Sequence, residues 1–218
     1  MRINDIKSLI HPKLFQALAT EISELRPAQE KAIKKGLTSG NNLLVCTPTA
    51  SGKTLIGEIA AMQSVYNGKK AVYIVPLKAL AAEKYKDFST RYKDAKVALS
   101  IGDIDKNESY LSEFDLIVIT SEKLDSLIRH QAHWLQHVGA IVVDEIHLIN
   151  DPNRGPTLEI LITLLRRLLP NAQLIALSAT IGNSKELAEW LNADLVVDDW
   201  RPVELKKGIY NDGKIEFY

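Results

Sequence analysis

The stretch LLVCTPTASGKTLIGEIAAMQSVY, residues 43–66, decides the fold. It opens on four apolar residues, turns through TPTASGKT (47–54), and continues as a helical run. Residues 43–46 read as a buried strand, since an apolar run without alternation marks a strand covered on both faces. TPTASGKT fits the phosphate-loop pattern G-x-x-x-x-G-K-[ST], except that Thr47 stands where the first glycine is usual. In such a loop, backbone N–H groups and the helix N-terminus cradle phosphate oxygens. Gly52 lets the backbone approach without a Cβ. Lys53 brings a point charge to the β- and γ-phosphates, and Thr54 offers its hydroxyl to Mg²⁺. A plain capped turn would explain the glycine and threonine, but not the lysine between them.

Outward from this stretch, AVYIV (71–75), VALSI (97–101), DLIVI (115–119), AIVVD (140–144) and QLIAL (173–177) read as further buried strands. Helical candidates alternate with them at 27–38, 53–66, 77–90, 121–129, 155–168 and 184–191. Pro27 and Pro156 fall at helix starts, where a missing N–H costs nothing. Asn183 with Glu186 predicts a capping box. Strand–helix alternation predicts an α/β domain, a mainly parallel sheet flanked by helices on both faces. The last stretch, LVVDDWRPVELKKGIY (195–210), has strand character but no helix to close another unit.

Composition sets the outer bounds. The 218 residues are 46% hydrophobic and 25% charged, which excludes wholesale disorder and collagen-like repeats. No apolar run reaches the roughly 18 residues of a membrane span, and the N-terminus carries charges too early for a secretory signal. The single cysteine, Cys46, excludes an internal disulfide framework and fits a reducing, intracellular setting. Net charge is zero, from 27 basic and 27 acidic residues. The zero conceals a split: residues 1–93 balance to +8 and residues 94–218 to −8. Bulk charge alone therefore gives no drive toward polyanions.

AIVVDEIH (140–147) ends a buried strand with two carboxylates and a histidine. Ligands of parallel sheets bind beyond the carboxyl ends of the strands, the edge on which the phosphate loop lies. Asp144 is then placed to hold Mg²⁺, and Glu145 to act as the base that polarises an attacking water.

TPTASGKT, DEIH and SAT (178–180) together resemble a superfamily 2 helicase of the DExH type, in which threonine at the place of Thr47 is usual. LRPAQ (25–29) resembles the Q-motif, VPLKALAAEKY (75–85) motif Ia and TSEKLDSLIR (120–129) motif Ib. IGDID (101–105), RGPTLEILI (154–162), LSATIGN (177–183) and DWRPVEL (199–205) narrow the likeness to archaeal Hjm-type DNA repair helicases. The resemblance covers nearly the whole chain, but only the first of two motor domains.

The resemblance implies a RecA-like P-loop NTPase domain that uses ATP and Mg²⁺. Gln29 would read the adenine edge, and Thr47, Pro48, Thr49, Ala50, Ser51, Gly52, Lys53 and Thr54 would cradle the phosphates. Lys53, Asp144 and Glu145 would carry catalysis, with Thr54 and Asp144 on the metal. Pro76, Leu77, Lys78, Ala79, Thr120, Ser121 and Lys123 would meet the sugar–phosphate backbone, with Arg154 as an addition. His147, Ser178 and Thr180 would couple the two sites. The implied function is the ATP-binding half of a 3′–5′ DNA helicase in repair or stalled-fork processing, cytoplasmic if archaeal. Residues 1–24 would form a helical lead-in, 25–200 the motor domain and 201–218 an edge segment toward a second motor domain. Partners would be single-stranded or forked DNA, held weakly by this portion, together with that second domain and accessory domains; no membrane is involved. Without the second domain's arginine, hydrolysis should be slow. An RNA motor and a nucleotide-dependent binding module without catalysis stay open. His130, His133 and His137 read as surface or packing residues, Cys46 as an inert buried thiol, and Trp190 and Trp200 as anchors.

Overall fold

A computed structural model describes residues 1–102, 109–204, 206, 208–211 and 213–217. Residues 103–105 of IGDID and Leu205 of DWRPVEL lie outside the described residues. The expected strands form as β1 (Leu43–Cys46), β2 (Lys70–Val75), β3 (Val97–Ser100), β4 (Leu116–Thr120), β5 (Val138–Val143) and β6 (Gln173–Ser178). The segment with strand character supplies β7 (Asp194–Val197), which closes one edge beside β1. All seven are parallel, in the order β3-β4-β2-β5-β6-β1-β7.

The helices are α1 (Pro12–Ala19), α2 (Pro27–Lys34), α3 (Lys53–Tyr66), α4 (Lys78–Arg91), α5 (Ser121–Arg129), α6 (Gly155–Leu168) and α7 (Ser184–Leu191). Alternation along each strand assigns them to two faces. Leu43, Val45, Ala71, Tyr73 and Val75 pack with Leu14 and Leu18 of α1, Ala32 of α2, Ile56 and Ile59 of α3, and Phe88 of α4. Leu44, Cys46, Val72 and Ile74 pack with Leu124 of α5, Leu161 of α6 and Leu187 of α7. The sheet is thus covered on both sides, as its unbroken apolar strands require. Ile3, Ile6 and Ile10 join the first of these cores, and the His11 N–H donates to Gln63 of α3 at 2.8 Å. No helix among the described residues is long and apolar enough to cross a membrane.

Two local expectations fail for backbone reasons. The run 27–38 stops as an α-helix at Lys34, because Gly36 turns left-handed at φ +86° and only a 3₁₀ turn, Leu37–Ser39, follows. Asn183 makes no side-chain capping bond, since its φ of −99° and ψ of 31° leave the extended geometry that a cap needs. Beyond β7, β8 (Gly208–Asn211) and β9 (Lys214–Phe217) form a separate antiparallel hairpin. It exposes Tyr210, Ile215 and Phe217.

Helix α3 lies close against the sheet at Gly57. A Cβ there would stand 2.7 Å from Val142 Cγ1 and 3.3 Å from Tyr73 Cε2. Gly57→Val should therefore destabilise the domain by about 1–3 kcal/mol through overpacking. Urea unfolding of both proteins measures this, and an unchanged midpoint would contradict the packing described.

Candidate functional site

Parallel strands deliver their C-terminal loops to one edge, and the predicted site residues gather there. The phosphate loop leaves β1 with Thr47 and Pro48 buried and Thr49 and Ala50 exposed. Thr47 Oγ1 lies 2.7 Å from Ser51 Oγ, and the Thr47 N–H donates to the Ser178 carbonyl at 3.2 Å, tying the loop to the end of β6. Ala50 at φ +65° and Gly52 at φ +90° reverse the chain, so that α3 begins at Lys53 with no side-chain cap. Its first N–H groups are left for an anion. Glycine is required at position 52, where a Cβ would come within 2.5 Å of Gln29 Nε2.

Lys53 and Glu145 meet at this edge, Nζ lying 2.9 Å from one carboxylate oxygen and 3.0 Å from the other. Glu145 adopts φ +53°, a left-handed conformation unusual for a side chain of its size. Asp144 sits deeper, 5% exposed, and accepts the Glu145 N–H at 3.0 Å and the Tyr73 hydroxyl at 3.2 Å. Burial pushes the Asp144 carboxyl above its ordinary range, and the Glu145 charge pushes the same way. Lys84, Lys53 and the Tyr73 hydroxyl oppose them. Burial, then the Asp144 charge, also keeps Tyr73 protonated and so a donor.

Gln29 is buried and spans two elements, accepting from the Arg26 N–H and donating to the Gly52 carbonyl. One amide N–H and one lone pair are left over, the pattern an adenine edge would use. Arg26 also donates to the Ala50 carbonyl at 2.6 Å and stacks on Trp200. His147 Nδ1 stands 3.3 Å from a Glu145 oxygen and 3.4 Å from the Ala179 N–H, next to the buried Ser178 and the exposed Thr180.

Further along the edge a cavity of about 480 Å³ is lined by Pro76, Leu77, Lys78, Ala79, Gly102, Thr120, Glu122, Lys123 and Arg154. Leu77, Lys78 and Ala79 are open to solvent, whereas Thr120, Ser121 and Lys123 are buried. Arg154 donates to the Pro76 carbonyl at 3.3 Å, a contact that joins this cavity to the strand edge near Asp144. Cys46 is buried, and burial pushes its thiol up. His130 Nδ1 pairs with the Ser126 carbonyl at 2.8 Å.

Sequence reasoning missed Tyr73 and Lys84. Tyr73 is one more apolar-strand residue until β5 places Asp144 beside its hydroxyl. Lys84 did carry a signal, because it interrupts the buried stripe Ala81, Lys84, Phe88 at helical spacing.

The donor set suits a phosphate and a hard divalent cation: an uncapped helix start, a buried lysine, a threonine hydroxyl and two carboxylates. Residues 26–188 match the family described as DEAD/DEAH box helicase. An ATP-dependent DNA helicase Hel308 of Methanocaldococcus jannaschii is 58% identical over 205 residues, covering 90% of this chain and 17% of that protein. A protein of the same description from Methanococcus vannielii is 54% identical, covering 90% of this chain and 27% of its own length. The crystal structure of the DUF1998 helicase MrfA bound to DNA superposes with a TM-score of 0.74 at 26% identity, over 88% of this chain and 30% of that one. The fold is thus the expected RecA-like helicase arrangement. The chain spans only a sixth to a quarter of these curated relatives.

The raised Asp144 carboxyl has a consequence for stability. The folded protein binds more protons there than the unfolded chain does, between the ordinary 3.8 and the raised value. Stability contributed by this group therefore falls as pH rises through that window. Asp144→Asn should remove this contribution to the slope and raise the thermal midpoint of the ligand-free protein at neutral pH. Thermal melts across pH 4 to 8 test this, and a lower midpoint for the variant would reverse the sign argued here.

Proposed function

The chain belongs to the DEAD/DEAH box helicase family, and we propose that it is the ATP-binding half of a 3′–5′ DNA helicase acting intracellularly in repair or stalled-fork processing. The observation that carries the reading is the Lys53–Glu145 pair, which places a phosphate-seeking cation and a candidate base on one strand edge. DNA as the track is supported by the names of the relatives and by the DNA-bound neighbour.

In this reading the phosphate loop from Thr47 to Thr54 receives the triphosphate, and Gln29 reads the adenine with its remaining donor and acceptor. Lys53 leaves Glu145 for the phosphates. That exchange frees the carboxylate to orient a water and take its proton. Thr54 and Asp144 would hold Mg²⁺, whose charge, when it is bound, would offset that of the phosphates. Tyr73 fixes the Asp144 oxygen it donates to. His147 connects Glu145 to Ala179, between Ser178 and Thr180, and so to β6. Leu77, Lys78 and Ala79 meet backbone phosphates by amides and one cation, with Thr120, Ser121 and Lys123 supporting them from below. Such contacts give affinity without sequence preference. Residues 25–200 act as the motor domain, with 1–24 as its lead-in and 201–218 as the passage to a second motor domain. The exposed apolar face of the hairpin supports that last assignment.

Glu145→Gln should keep nucleotide affinity within about threefold and lower steady-state ATP hydrolysis by about 10²–10⁴-fold, whereas Lys53→Ala should lose binding. The assay uses the chain joined to the remainder of its protein, with single-stranded DNA and RNA compared as activators. Wild-type turnover in Glu145→Gln, or stimulation by RNA alone, would overturn the base assignment or the DNA assignment respectively.

A further inference from the structure

Midway along α4, Lys84 points inward. Its neighbours on the buried stripe, Ala81 and Phe88, belong to the core, yet Lys84 is only 9% exposed. Its stem is packed there, and its ammonium reaches the cavity that Gln29, Gly52 and Thr54 also line. Nζ donates to Thr54 Oγ1 at 3.4 Å. Among the described residues it makes no ion pair within 4.0 Å. None of the carboxylates that line this cavity, Glu21, Glu24, Glu58 and Asp87, pairs with it; Arg91 holds Glu58 and Glu21, and Tyr92 also donates to Glu58.

A buried ammonium is costly unless charge and hydrogen bonds compensate it. Lys84 has three N–H donors and one long hydroxyl contact, so its site asks for an anion. Its influence on Asp144 is the largest of those that favour the charged carboxylate, ahead of Lys53. Two lysines thus face two carboxylates: Lys53 holds Glu145 by contact, and Lys84 faces Asp144 through space.

We propose that Lys84 is a positioning residue of the nucleotide site, a tethered counter-ion that holds the Thr54 hydroxyl and balances Asp144 whenever no divalent cation is there. The inference rests on the nucleotide-site reading given above. Its consequence is specific. A diphosphate bound without metal is supported by Lys53 and Lys84 together. A diphosphate bound with metal depends on Lys84 far less, because the cation takes the hydroxyl Lys84 was holding. Lys84 therefore sets how strongly nucleotide affinity depends on metal.

The test is the affinity of a fluorescent ADP analogue in Mg²⁺ and in EDTA, read by titration for the wild type, Lys84→Met and Lys84→Arg. In Lys84→Met the ratio of the two affinities should rise about tenfold, the loss falling on the EDTA arm, as expected for one charge-assisted hydrogen bond. Lys84→Arg keeps the charge and should stay near the wild-type ratio. Should the methionine variant not fold, Lys84→Gln keeps a polar group on Thr54 without the charge and carries the same expectation. A ratio that stays fixed, whether both affinities fall together or neither moves, overturns the proposal and leaves Lys84 a packing residue. Failure of the wild type to bind ADP in either condition overturns the nucleotide-site reading itself, and the proposal with it.

Discussion

The loops of the site are brought together by one constraint: seven parallel strands end on the same edge. Neighbouring strands lie about 4.8 Å apart, and β6 separates β1 from β5, so the phosphate loop and the acidic strand end are about 10 Å apart at the backbone. Only extended side chains bridge such a gap, and Lys53 and Glu145 do so in contact. The bridge passes over the end of β6, where Ser178, Ala179 and Thr180 lie. The same order sets β2 and β4 on the other side of β5, which puts Pro76 and Thr120 on the adjoining stretch of edge. Two cavities of different chemistry are thereby held on one rigid sheet.

The loops on that edge are not relaxed. Ala50 and Glu145 both hold left-handed backbone angles, which cost of order 1–3 kcal/mol each for residues with side chains. Each strained residue is held by a specific partner: Ala50 by Arg26 at its carbonyl, Glu145 by Lys53 at its carboxylate. A ligand that recruits Lys53 removes one of these restraints. The positions of Glu145 and Lys53 are therefore linked in the ligand-free protein.

The strands were legible in the sequence because burial on both faces leaves unbroken apolar runs, and Leu43–Cys46 is the clearest case. The loop chemistry was legible because Gly52, Lys53 and Thr54 have fixed spacing, as do Asp144 and Glu145. Tyr73 was not, since a hydroxyl becomes functional only when a carboxylate from another strand stands beside it, and pairing across strands leaves no local trace. The capping box at Asn183 looked right by composition and failed by dihedral angle, a property that residue identity does not fix. Thr120, Ser121 and Lys123 fit a motif, but the motif did not show that they lie beneath the surface and that Leu77, Lys78 and Ala79 lie on it.

The uneven charge of the two halves now has a spatial meaning. Basic residues of the first half meet acidic residues of the second in the pairs Lys13–Asp94, Lys31–Asp198 and Lys53–Glu145. The first is exposed on both sides, and such pairs contribute about 0–1 kcal/mol. The third is partly buried, Lys53 more deeply than Glu145, and desolvation there takes back part of the attraction. A chain shaped by stability alone has no need of a lysine and a glutamate there, or of Lys84 beneath a hydroxyl. In the proposed reading a more highly charged ligand would displace those contacts, so the stability forgone at the strand edge would leave Lys53 and Glu145 ready to exchange partners.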